Sequence, residues 1–87
     1  EKKKREIETE KSIFELNEKI FGEFTAICIK EKQVKIGMWD EALPLILGTP
    51  KKINTTETAN GISRQYVYYK MYIYSVNGKV TTIQREE

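Results

Sequence analysis

The side chains able to do chemistry are few in kind. Tyrosines dominate: Tyr66 and Tyr68, then Tyr72 and Tyr74, recur at two-residue spacing, with Arg64 and Lys70 as basic neighbours. In strands such spacing lines up one face. The expected arrangement is a cluster of Tyr66, Tyr68, Tyr72 and Tyr74 on one sheet face, with Tyr69 pointing the other way. A tyrosine joins an apolar ring to a wet hydroxyl, which suits a protein interface. Arg64, Tyr66, Tyr68, Tyr72 and Tyr74 are therefore the candidate partner contacts. The competing expectation is that these rings simply pack a thin sheet. Stacked tyrosines also suit single-stranded nucleic acid. That use needs a basic sheet, whereas 15 Lys and Arg face 13 Asp and Glu for a net charge of +2. No nucleic-acid partner is expected.

The remaining reactive types are sparse. There is no histidine and a single cysteine, Cys28. That inventory excludes Ser-His-Asp and Cys-His triads, a zinc site and a disulfide framework within the chain. Asp40 and Glu41 are adjacent carboxylates, which a helix points apart. They suit the positive end of a helix dipole better than acid–base work. Asn54, Thr55 and Thr56 read as turn chemistry. Cys28 lies on the apolar flank of a helix and reads as a small buried hydrophobe. Trp39 is expected to pack against the first helix. No catalytic residue, cofactor or metal is expected, and the chain reads as a non-enzyme.

The elements that must position these residues follow from periodicity. The 87 residues suffice for one domain, and apolar residues at 39% with charged residues at 32% suit a small folded module. No stretch approaches the ~18 uncharged residues of a membrane span. Residues 1–33 read as helix, with Ile13, Leu16, Ile20, Phe24 and Ile27 as one apolar stripe, widened by Phe14, Phe21 and Cys28, expected to pack the core. Gly22 interrupts it, so the helix either continues or breaks there into an exposed arm (residues 1–21) and a packed domain (residues 22–87). A second, short helix is expected over Asp40 to Leu47, with Pro44 in its first turn and Gly48 and Pro50 ending it.

Lys51 to Ser63 reads as loop, with a short ragged strand near Ile53 and Thr55 and a turn at Asn60-Gly61. Three strands follow: Arg64 to Tyr69, Met71 to Val76 and Lys79 to Gln84, the last two joined by an Asn77-Gly78 hairpin. A two-residue turn puts Tyr72, Tyr74, Thr81 and Ile83 on one face, and a bulged turn moves Val80 there instead. The expected fold class is α+β: two N-terminal helices packed on a three-stranded antiparallel β-meander.

Two segments, taken together, resemble a known family. One is Ile36-Gly37-Met38-Trp39-Asp40-Glu41 leading to Leu47-Gly48-Thr49-Pro50. The other is Gln65-Tyr66-Val67-Tyr68, then Tyr72-Ile73-Tyr74, then Asn77-Gly78-Lys79-Val80. This order is similar to that of the SmpA/OmlA (BamE-like) domain family of small outer-membrane lipoproteins, over roughly Gly22 to Gln84. Trp39 stands where that family usually carries a Thr helix cap, Pro44 is unusual there, and no lipobox cysteine precedes the domain. The resemblance implies an α-α-β-β-β fold similar to β-lactamase-inhibitor-protein repeats. It also implies a binding or scaffold module on the periplasmic side of the bacterial cell envelope, with a cytoplasmic location as the alternative.

The first residue is Glu1 and no hydrophobic leader follows it. Lys2-Lys3-Lys4-Arg5 reads as a solvated helix end or as the flank of a membrane anchor upstream. Membrane association is expected only through such an anchor. A protein partner is expected, and the first helix could pair with a second copy. The alternative function is a structural or regulatory tail of a membrane-anchored protein.

Overall fold

In the computed structural model, which describes residues 2–86, the helical run breaks at Gly22. Helix α1 spans Lys2–Phe21 and α2 spans Glu23–Glu31. Gly22 has φ 86 and ψ 167, a region closed to residues with a Cβ. Its N–H still donates to the Glu18 carbonyl at 2.8 Å and its carbonyl accepts from the Ala26 N–H at 3.1 Å. The corner turns α2 back along α1, so that the Lys30 ammonium sits 5.4 Å from the Phe14 ring centroid. The basic run Lys2 to Arg5 lies outside the residues whose side chains are described.

The expected second helix is two pieces: a 3-10 helix over Asp40–Ala42 and α3 over Leu43–Leu47. Pro44 is the reason for the join. It lies in the first turn of α3, where its missing N–H has no helical partner to lose. Upstream, residues 37–40 lie along the sheet. The Gly37 N–H donates to Val80 O, the Val80 N–H to Met38 O, and the Asp40 N–H to Gly78 O, all within 2.9 Å.

Four antiparallel strands form the sheet, in the order β1 (Lys52–Thr58), β2 (Gly61–Tyr68), β3 (Met71–Val76) and β4 (Lys79–Arg85). The α+β class with an antiparallel meander stands, with four strands where three were expected. The additional strand, β1, is the stretch read as loop. Its Thr and Ile residues fit a pleated strand, and a two-residue turn at Ala59-Asn60 closes it onto β2. At the β3–β4 turn both Asn77 (φ 50) and Gly78 (φ 88) are left-handed, as a tight hairpin of this twist requires. A Cβ on Gly78 would stand 2.9 Å from the Trp39 ring.

One irregularity sets the faces. Ser75 pairs with Val80 but Tyr74 pairs with Thr82, leaving Thr81 as an extra residue in β4. The extra residue lets Val80 and Ile83, three apart, both point to the helices. Ile83 is therefore opposite Tyr72 and Tyr74, not beside them as an unbulged two-residue hairpin would place it. The core gathers Cys28, Met38, Ala42, Leu43, Tyr66, Tyr68, Ile73 and Val80. Strand β1 contributes nothing to it, since all seven of its residues are exposed.

Candidate functional site

The tyrosine cluster does not form on one face. Register decides this: Tyr66 pairs with Ile73 and Tyr68 with Met71, while Tyr72 pairs with Val67 and Tyr74 with Gln65. Directly paired residues share a face. Tyr66 and Tyr68 thus join Ile73 under the helices and are buried, while Tyr72 and Tyr74 lie on the open face. The two pairs are separated by Tyr69-Lys70, a two-residue turn, and Tyr68 and Met71 flank it on the same face. Tyr72 is then one residue out of phase with Tyr68. Tyr69 lies in the turn, largely exposed, with the Lys51 ammonium 5.0 Å from its ring.

On the open face the polar groups satisfy one another. Asn54 Nδ2 donates to Gln65 Oε1 at 2.8 Å, and Gln65 Nε2 donates to the Tyr74 hydroxyl at 3.1 Å. The Tyr74 hydroxyl donates to Gln84 Oε1 at 3.3 Å, and the Tyr72 hydroxyl to Glu86 Oε1 at 3.4 Å. This chain of amides and hydroxyls crosses all four strands. It lines a shallow open depression with Thr56, Ser63 and Thr82.

Arg64 also turns inward, and it shows what Asp40 does. Asp40, expected at the positive end of a helix dipole, does open the 3-10 helix, and it is wholly buried there. Its Oδ2 accepts from the Ser75 hydroxyl at 2.7 Å and lies 3.5 Å from Arg64 Nη1, while Oδ1 has no hydrogen-bond partner among the described residues. The Tyr66 phenol beside it is pushed up to about 12, by burial first and then by the Asp40 carboxylate, with Arg64 opposing. A buried carboxylate needs such company, because desolvation penalises its charge. Asp40, Arg64, Tyr66 and Ser75 therefore lock the 3-10 helix onto β2 and β3. Glu41, the next residue, is exposed, so the two carboxylates share no site. The signal missed in the sequence was Arg64 facing Ser75 across the ladder, which needs the register to be seen.

Cys28 is buried as expected, and burial raises its thiol pKa above the ordinary value, with Lys35 opposing. Such a thiol is poorly nucleophilic. The described residues hold no group of three His, Cys, Asp or Glu placed to share a metal ion. No helix among them is long and apolar enough to cross a membrane.

The apolar stripe of the first helix is the second correction. Ile13, Leu16, Ile20 and Phe24 are 52%, 57%, 61% and 49% exposed, not packed in the core, and Ile27 is half-buried. The physical cause is the Gly22 corner. Along α1 the face turned to α2 carries Phe14, the buried Asn17 and Phe21, which recur at the same three- and four-residue spacing one position later. Phe14, Asn17, Ala26 and Ile29 line the groove between the two helices. Leu16 and Ile20 are left facing away, while Ile13, still half exposed, sits at the rim of the groove. From α2 it is Thr25, Ala26 and Cys28 that are buried. Phe24 extends the stripe around the corner, its ring lying 3.6 Å from where a Cβ on Gly37 would stand.

Trp39, expected to pack on the first helix, holds its ring beside the β3–β4 hairpin and its backbone against Thr25, within the run expected as that helix. Its backbone N–H donates to the Thr25 hydroxyl at 3.1 Å, and the Lys79 ammonium lies 4.1 Å from its ring centroid. Against this geometry, comparison with protein-family models, with curated proteins and with solved structures finds no match for the chain.

Proposed function

We propose that this chain is a non-enzymatic binding or scaffold module that holds a protein partner through the outward face of α1. The observation that carries the reading is the row Ile13, Leu16, Ile20 and Phe24, each about half exposed or more. At half their full area these side chains together expose roughly 400 Å² of apolar surface, the scale of patches that are often functional on a monomer. Burying it releases on the order of 10 kcal/mol before association entropy is set against it. An amphipathic helix meeting a helix or groove by residues spaced three and four apart is a common recognition mode.

The tyrosine-bearing face is the weaker candidate for the same task. Tyr66 and Tyr68 are inside, Arg64 is paired to Asp40, and the hydroxyls of Tyr72 and Tyr74 are engaged by neighbours. A partner there would have to displace bonds already made. The resemblance to the SmpA/OmlA family supports a location on the periplasmic side of the bacterial cell envelope, and a BamE-like arrangement of helices on the sheet belongs to the same reading. The test is cross-linking in bacterial envelope fractions with two variant sets. Partners lost with Leu16→Ser plus Ile20→Ser, and kept with Tyr72→Ala plus Tyr74→Ala, support docking through α1. Partners indifferent to the first set and lost with the second overturn it.

A further inference from the structure

The two edges of the sheet are not alike. The outer edge of β4 is closed by the chain itself: residues 37–40 hydrogen-bond to Gly78 and Val80, Trp39 bridges Lys79, and the extra residue Thr81 breaks the ladder beyond. Bulges and covering segments of this kind protect a sheet edge from pairing. The outer edge of β1 has neither. Lys52–Thr58 contains no proline, pairs with β2 without a register shift, and is exposed at every residue.

We infer that β1 is a dimerisation edge that pairs antiparallel with β1 of a second copy of this chain. The inference is independent of docking through α1, since it uses a different element. The register argument begins at the Ala59-Asn60 turn. In a two-residue hairpin the flanking pair, here Thr58 and Gly61, is the hydrogen-bonded one, and bonded pairs then alternate along the ladder. Lys52, Asn54, Thr56 and Thr58 therefore bond inward to β2. Ile53, Thr55 and Glu57 aim their N–H and C=O groups outward, unused.

That outward set is symmetric about Thr55. A two-fold axis through Thr55, perpendicular to the sheet, sets Ile53 opposite the partner's Glu57 and Thr55 opposite the partner's Thr55. Every free donor on one copy meets a free acceptor on the other, for about six main-chain hydrogen bonds. The same register sets Lys52 opposite the partner's Thr58 and Asn54 opposite the partner's Thr56. No like charges face each other, and Thr–Thr and Asn–Thr are favourable cross-strand pairs. Both faces of β1 are exposed, so no helix obstructs the approach. The product is one continuous sheet, four strands from each copy, with an isologous contact. An edge contact alone is small, which places the affinity in the weak, concentration-dependent class.

Three variants test this by sedimentation equilibrium on the full chain, with circular dichroism confirming the fold. Thr55→Pro removes an outward donor while leaving the inward bonds of Asn54 and Thr56 in place, and Thr55→Lys sets two ammonium groups across the axis. Each is expected to weaken dimerisation at least about tenfold. Thr55→Cys places two thiols about 5.5 Å apart in Cα terms, within disulfide reach. Mild oxidation then gives a covalent dimer, since the one native thiol, Cys28, is buried. A chain that stays monomeric to millimolar concentration overturns the inference. So does a dimer untouched by Thr55→Lys and uncrosslinked through Thr55→Cys, and one dissolved by Leu16→Ser instead assigns the seam to α1.

Discussion

Two regions of this molecule depart from the usual partition of polar and apolar side chains, in opposite directions. Beneath the helices a carboxylate, Asp40, is wholly buried. Along α1, Ile13, Leu16 and Ile20 stand half exposed or more. The first departure is compensated inside the chain: Arg64 supplies charge, Ser75 a hydrogen bond, and Tyr66 stays protonated beside them. The second is compensated by nothing among the described residues. A buried charge that is paired reports on how the chain holds itself together. An exposed apolar row that is unpaired is the surface on which the proposed docking rests. The comparison teaches where to look for structure and where to look for function.

Substitutions at the two regions should therefore separate stability from binding. The largest loss is expected from Asp40→Ala, which strands Arg64 and Ser75. Removing one partner of a buried pair typically costs about 3–5 kcal/mol, and the partial exposure of Arg64 puts this case near about 3. Urea unfolding reads it, and a loss below about 1 kcal/mol would show the cluster to be ornamental. Asp40→Asn sharpens the point by keeping the acceptor for Ser75 while removing the charge, with an expected loss of about half that of alanine.

Gly22→Ala comes next. A Cβ there meets nothing within 4 Å, so the loss is purely conformational, about 2 kcal/mol for a residue held at φ 86 and ψ 167. Thermal melts measure it, and an unchanged melt would mean that the α1–α2 corner tolerates another backbone shape. The Tyr66 phenol supplies a pH signature of the buried cluster. Folding raises its pKa from the ordinary 10 to about 12, so its contribution is complete below pH 10 and disappears as pH rises toward 12. Absorbance titration of the phenols should show late ionisation of Tyr66 and of Tyr68, whose pKa burial also raises, and Tyr66→Phe should remove only the Tyr66 part. The smallest stability change, within about 0.5 kcal/mol, is expected from Leu16→Ser or Ile20→Ser. Those are the same changes that should abolish partner capture. A large loss of stability there would mean that the stripe is part of the fold after all.

Much of the architecture was legible along the chain. Asn77-Gly78 announced its hairpin because both residues readily take the left-handed conformation that the favoured two-residue turn uses. The alternating Tyr, Val and Ile residues announced β2 and β3, and Gly22 announced a break or a strain. Strand β1 was not legible. Its alternation joins Thr and Asn to a lone Ile53, so neither face reads as buried, and it is held mainly by pairing with β2. The candidate site was the least legible part. Periodicity shows that Tyr66, Tyr68, Tyr72 and Tyr74 share phases in pairs, but the two-residue turn at Tyr69-Lys70 puts the pairs on opposite faces. Helical spacing likewise showed an apolar row at Ile13, Leu16 and Ile20. A second row, Phe14, Asn17 and Phe21, has the same spacing, and only contact with α2 determines which is covered.

Short-range chemistry along the chain thus settled most of the element types and the Asn77-Gly78 turn. Such features depend on the φ and ψ preferences and functional groups of neighbouring residues. Folding in three dimensions settled which face of each element meets another: the inward turn of Arg64 and Tyr66, the burial of Asp40, the outward turn of Leu16 and Ile20, and the open edge of β1. Those outcomes depend on ladder register, on one bulge at Thr81 and on one corner at Gly22. A shift of a single residue in any of them reverses the faces of everything that follows.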